Sequence, residues 1–199
     1  MNTRTAALLS PASSAPSATN ATPDAAAAPR AGMFSFLDHS HQEIQRMLLG
    51  LQDVVQAMDM DGLTPEVREH ARTLLAWFNT HAREHHVDEE RHIFPALLIS
   101  HDEALRNVAE RLMQDHCWLE EDWIQIAPSL SAAADGFQWF DLDVLRHAVE
   151  VFSQLYVDHI VLEESVAYPQ ARRSISELDA AGMGVEMARR RAQREARAG

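Results

Sequence analysis

The sequence predicts an all-α protein, an up-down-up-down bundle of four helices with a further helix after them. Three observations carry this expectation. Apolar residues recur at spacings of three and four along four separate segments, the breaks between segments hold proline, glycine and capping residues, and the connecting loops are modest. A chain of 199 residues, 46% of them hydrophobic, is enough for one domain with a real core and too short for two full ones.

Residues 1–32 are mostly Ala, Ser, Thr and Pro with almost no large apolar side chain, so burial cannot offset ordering entropy there and a disordered tail is expected. The first stripe follows: Phe34, Leu37, His41, Ile44, Leu48 and Leu51, with a histidine inside it. Thr64 as N-cap and Pro65 in the first turn open a second helix, which runs through Leu74, Phe78, His81, His85 and Glu89 to about Leu98. Ser100 with Glu103 reads as a capping box for a third, carrying Leu105, Val108, Leu112, His116, Leu119 and Trp123 on one face. A loop around Pro128 to Gly136 should end it. The fourth starts near Asp141 and carries Leu145, Ala148, Phe152, Leu155, His159, Leu162 and Glu163. These helices make one bundle over residues 34–171. Beyond it, in 172–199, Ile175, Leu178, Met183 and Met187 predict a basic C-terminal helix or tail.

Charge excludes some functions. The net charge is −13, lysine is absent, and residues 34–171 hold 8 arginines against 25 acidic residues, while residues 172–199 hold 7 arginines against 4. An acidic body disfavours nucleic-acid partners, which are bound largely through basic contacts to phosphate. No apolar run approaches the roughly 20 residues that cross a bilayer, so no membrane partner is expected. Cys117 is the single cysteine, which rules out an internal disulfide and makes a cytoplasmic location the natural expectation. Its thiol is expected to be buried.

The chemistry lies in an internal echo. The segments from His85 to Pro95 and from His159 to Pro169 both read His, three residues, Glu-Glu, three residues, aromatic, Pro. In each, the first Glu follows the His by four, and side chains four apart lie on one helical face, so Glu89 joins His85 and Glu163 joins His159. The second acids, Glu90 and Glu164, point about a quarter-turn away. His41 and His116 precede the two motifs by nearly equal intervals. The domain therefore reads as two similar hairpins, and six groups converge when the hairpins face each other: His41, His85, Glu89, His116, His159 and Glu163. Bundle interiors are where such sites are built. A mixed imidazole and carboxylate set without thiolate suits iron, manganese or zinc.

Over about residues 34–170 this pattern resembles the hemerythrin-like, HHE cation-binding domains, and its spacing is particularly similar to that of di-iron proteins of the iron-centre repair group. The resemblance implies two iron ions per chain, bridged by Glu89 and Glu163 and capped by His41, His85, His116 and His159. It also implies small ligands, dioxygen or nitric oxide, at an open iron position, or storage and donation of iron for repair. A site on rigid helices without an evident substrate pocket suits binding better than turnover. A metal-dependent regulatory module with an unspecified protein partner is the alternative.

The sequence departs from oxygen carriers of that family in one respect: Leu112 stands where they place a further histidine, four before His116. Candidates for an additional ligand are His81, one turn before His85, and Glu120, one turn after His116. His39, His70, His86, His92, His101 and His147 lie off the stripes and are expected at the surface. Trp77, Phe78, Trp123, Phe152 and Tyr156 read as packing. A remote rival is a zinc peptidase, because His81-Ala82-Arg83-Glu84-His85 matches the His-x-x-Glu-His motif. It leaves the second hairpin unexplained.

Overall fold

The computed structural model describes residues 32–198, and every regular element among them is helical. The expected tail falls, but for Gly32, outside the described residues. The first rod is α1 (Met33–Asp61). The second is α2 (Pro65–Trp77), continued through a π-helical segment (Phe78–Ala82) into α3 (Arg83–His92) and the short α4 (Phe94–Leu98). The third is α5 (Glu103–Asp135), and the fourth is α6 (Leu142–Leu162), continued through a second π segment (Glu163–Ala167) into α7 (Tyr168–Ser174). Helix α1 packs on α2 and α6, and α5 packs on the same two, which closes a four-membered ring of neighbours. The last helix, α8 (Glu177–Ala198), lies against α1.

Local chemistry explains most of the boundaries. Thr64 Oγ1 accepts from the Val67 amide at 3.3 Å, and Asp141 Oδ1 accepts from the Asp143 and Val144 amides at 2.9 and 3.2 Å. Two boundaries differ from expectation. Helix α5 is capped by Asp102, whose Oδ1 accepts from the Ala104 amide at 2.9 Å, while Ser100 Oγ accepts from the Asp102 amide and shapes the loop. Helix α5 also runs straight through Pro128. The proline sits on the exposed face, where the carbonyl it frees meets water, while Ile126, Leu130, Ala133 and Ala134 keep the opposite face buried. The helix ends only at Gly136, with φ of 88°. A Cβ there would come within 3.1 Å of the Arg68 guanidinium.

The core is divided. One apolar cluster gathers Ile44, Leu51, Leu74, Phe78, Leu119, Phe152 and Tyr156, and a second gathers Met33, Leu37, Phe94, Leu112, Ala167, Tyr168 and Met187. Along α1 the sequence passes from Leu37 of the second cluster through His41 to Ile44 of the first, and along α5 from Leu112 through His116 to Leu119. A buried polar layer thus crosses all four rods. Met187 anchors α8 in the second cluster, and Arg190 and Arg191 of α8 pair with Asp88, which is 1% exposed. Leu178 points away from that cluster and is exposed.

Candidate metal centre

The first π segment sets the register of the second rod. A π turn holds one residue more than an α turn, which rotates everything after it by about 100°. The buried positions pass from Leu74 and Phe78 to Ala82, and then to both His85 and His86 before Glu89. His81 is rotated out: it is exposed, stacked on Trp77 with ring centroids 5.5 Å apart, and its Nδ1 hydrogen-bonds Thr80 Oγ1 at 2.9 Å. Glu120 is likewise exposed and faces Arg83 at 3.6 Å. Neither extra candidate joins the buried group.

The other six residues do come together. His41, His85, Glu89 and Glu163 form one cluster and Glu89, His116, His159 and Glu163 another, with the potential ligand atoms of each within 4.8 Å of one another and every residue buried. Each pair of histidines comes from one hairpin, and the two carboxylates belong to both clusters. Glu89 Oε1 lies 3.3 Å from His85 Nε2 and 3.7 Å from His41 Nε2, while its Oε2 lies 3.3 Å from His116 Nε2. Glu163 Oε2 lies 3.1 Å from His41 Nε2 and its Oε1 3.3 Å from His159 Nε2. Both carboxylates therefore turn one oxygen to each histidine pair.

Two of the outer nitrogens are held across the hairpins. His41 Nδ1 donates to Glu164 Oε1 and His116 Nδ1 to Glu90 Oε1, each at 2.9 Å, and His159 Nδ1 lies 3.7 Å from Asp115 Oδ2. The second Glu of each Glu-Glu pair thus orients the single histidine of the other hairpin. Carboxylates in that position fix the tautomer and aim of a metal-binding imidazole. The quarter-turn that takes Glu90 and Glu164 off the inner face is what lets them reach behind the neighbouring helix. The repetition of Glu-Glu in both motifs was the available signal for this role.

Two aromatic groups complete the layer. Tyr168 stacks on His41, its hydroxyl donates to Glu89 Oε1, and it lies 3.1 Å from His41 Nε2. Burial, followed by the charges of Glu89 and Glu163, pushes the Tyr168 phenol well above its usual range, so it keeps its proton. The echo puts Phe94 in the matching place against His116, so the phenol serves one half of the layer only. His86, expected at the surface, is 3% exposed, and Tyr156 hydrogen-bonds its Nε2 at 3.1 Å. It stacks on His116 with centroids 3.9 Å apart and planes 15° apart. Near-parallel rings cannot aim their in-plane lone pairs at one ion, so in this rotamer His86 backs His116 rather than sharing a cation with it.

Electrostatics marks the layer as a place for cations. Burial alone would lower His41, but hydrogen bonds and charge from Glu163 and Glu89 outweigh it and raise its pKa to about 10. His159 rises to about 10 in the same way, against burial, through Glu163 and Asp115. Burial drives His85 well below its usual value, and the neighbouring histidines add to that. Although burial opposes it, Glu89 is held well below the carboxylate range by His85, His116 and His41. Both nitrogens of His85, Glu89 Oε2, Glu163 Oε1 and His159 Nδ1 have no hydrogen-bond partner among the described residues. Several of them lie 3.3 Å from an opposite group yet off the hydrogen-bonding axis. Buried polar atoms without partners are rare in native proteins, and imidazole nitrogens and carboxylate oxygens converging on shared spaces fit divalent cations.

Comparison with known proteins agrees. The family model of the hemerythrin HHE cation-binding domain matches residues 32–171. The chain belongs to this family. A Haemophilus influenzae protein described as an uncharacterized protein is 30% identical over 155 residues, covering 78% of this chain and 87% of the relative. The HHE domain is thus an all-α bundle in the hemerythrin manner, its candidate cation site spanning all four rods. Leu112 is fully buried in the second apolar cluster, so His116 is the one histidine that α5 brings to the layer. Cys117 is exposed, contrary to the buried thiol expected, because the turn that buries His116 carries its neighbour outward. No helix among the described residues is long and apolar enough to cross a membrane.

Proposed function

We propose that this is a non-haem di-iron protein whose two cations share Glu89 and Glu163, and that the centre binds or senses a small diatomic ligand, dioxygen or nitric oxide. One observation carries the reading: each buried carboxylate presents one oxygen to the His41–His85 pair and the other to the His116–His159 pair. Bridging carboxylates suit two cations about 3.5–4 Å apart, because their charge offsets the repulsion. Imidazole and carboxylate donors are compatible with several first-row metals, and the hemerythrin resemblance favours iron. Iron, when bound, would supply a redox-active cation with room for a diatomic ligand.

The chain's own residues suit that task. Glu164 and Glu90 hold His41 and His116 in aim, and the apolar clusters above and below keep bulk water out. The Tyr168 phenol is a proton donor beside the His41–His85 half. A pocket of about 250 Å³ lined by Phe78, Trp123, Phe152 and Tyr156 reaches His86, and its aromatic walls suit a neutral molecule better than an ion.

Iron storage and donation is the second reading, and the charged cleft outside His85 favours it. A regulatory variant draws on α8, whose Arg190 and Arg191 hold Asp88 next to Glu89. The zinc peptidase reading is set aside, since His81 and His85 belong to no common cluster. Spectra of iron-loaded protein test the proposal. Azide should add an absorption band to the oxidised form and nitric oxide should change the reduced form. Spectra indifferent to both would contradict an accessible iron position.

A further inference from the structure

Three clefts approach the polar layer, and they differ in what they could admit. The first pocket is lined by Asn79 and the paired Arg83 and Glu120 as well as by aromatic rings, and it ends at His86, whose Nε2 is engaged by Tyr156. The rings of Phe78, Trp123 and Phe152 favour a hydrated ion less than a polar opening would. A second cleft, lined by Asp38, Glu164 and Arg172, ends at His41. Both nitrogens of His41 are occupied there, by Glu164 and by Glu163, and Arg172 holds Asp38 at 3.1 Å across the opening. The third cleft, of about 260 Å³, lies between α1 and the second rod. Glu43, His81 and Glu84 line it, and His85 forms part of its wall. His85 is 1% exposed, and neither of its ring nitrogens has a hydrogen-bond partner among the described residues.

We propose that this third cleft is the port through which a divalent transition-metal cation reaches the centre, passing from Glu43, His81 and Glu84 to His85. The inference rests on the metal-centre reading and adds a route to it. The same π turn that removes His81 from the buried cluster puts it at the port. Thr80 hydrogen-bonds Nδ1 of His81, which leaves Nε2 as the nitrogen for a passing ion. Carboxylates in a narrow opening focus the field and raise the local cation concentration. Of the two carboxylates, Glu84 is already paired with Arg194, while Arg191, which also lines the cleft, is drawn to Asp88 at 2.7 Å, so the field at the opening depends chiefly on Glu43. Glu43 is paired with Arg46, itself 63% exposed, and such surface pairs exchange partners readily. His85 then receives the ion, since it is buried in the cleft wall and neither of its ring nitrogens has a hydrogen-bond partner among the described residues.

The test mixes metal-free protein with cobalt(II) under anaerobic conditions and follows the visible absorption of bound cobalt by stopped flow. The double variant Glu43→Gln/His81→Gln should load about tenfold more slowly than wild type, the low end of what charge focusing gives. It should still reach the wild-type stoichiometry and final spectrum. Added salt should slow the wild type more than the variant, because screening removes the field the variant already lacks. Asp38→Asn, in the His41 cleft, should load at the wild-type rate. Loading of the double variant at the wild-type rate would overturn the port, as would equal slowing by Asp38→Asn. A lower final stoichiometry would also overturn it, by making these residues part of the centre. Failure of the wild type to take up cobalt at all would instead defeat the metal-centre reading, and the port with it.

Discussion

Glu89→Gln is expected to remove both cations of the proposed centre at once, whereas His85→Ala should weaken one far more than the other. The asymmetry follows from position. Glu89 turns Oε1 towards His85 and His41 and Oε2 towards His116, so both histidine pairs depend on it. Glutamine keeps the shape but removes the negative charge and replaces one oxygen by a donor nitrogen, which repels a cation on whichever side it faces. Loss of partners merely behind metal ligands weakens affinity by about 10–100-fold, and loss of a shared ligand should exceed that for each ion. Metal analysis after dialysis against a weak chelator would show it. Retention of one ion at wild-type affinity in Glu89→Gln would mean that the carboxylate serves one side only.

Removing metal should lower the melting temperature by roughly 10 °C or more. Without cations the layer keeps buried groups lacking partners and histidines held protonated against desolvation, and each unsatisfied group is costly in a dry interior. Cations that bind the folded chain alone stabilise it by about 4 kcal/mol when present at a thousandfold excess over Kd. For a chain of this size each kcal/mol moves the midpoint by about 2–4 °C. Calorimetry with and without chelator gives the shift. Equal midpoints would mean that the layer is satisfied without metal.

The rods were legible because each carries an apolar stripe at the helical period, and Thr64 and Asp141 announce their helices by capping chemistry. The end of the third rod was not legible. Pro128 reads as a break, yet an exposed proline is tolerated when the opposite face stays buried over Ile126 and Leu130. His85, Glu89, His159 and Glu163 were legible from the repeated His-x-x-x-Glu, since four-residue spacing needs only an undistorted turn between them, and His41 and His116 from their matching intervals before it. The neighbours of that motif were obscured by the π segment. Its extra residue exchanges the roles of His81 and His86, and nothing in the sequence from Phe78 to Ala82 marks a widened turn. The direction of Glu90 and Glu164 was legible but their role was not, for a different reason: their partners lie on another helix, and helical spacing describes one helix at a time.

The most direct measurement is the metal content of protein purified with iron supplied, set against that of the Glu89→Gln variant prepared alongside. Shared carboxylates between two histidine pairs predict close to two metal ions per chain in the wild type, mainly iron, and almost none in the variant. One ion per chain in the wild type, or zinc in place of iron at that level, would contradict the shared two-cation centre.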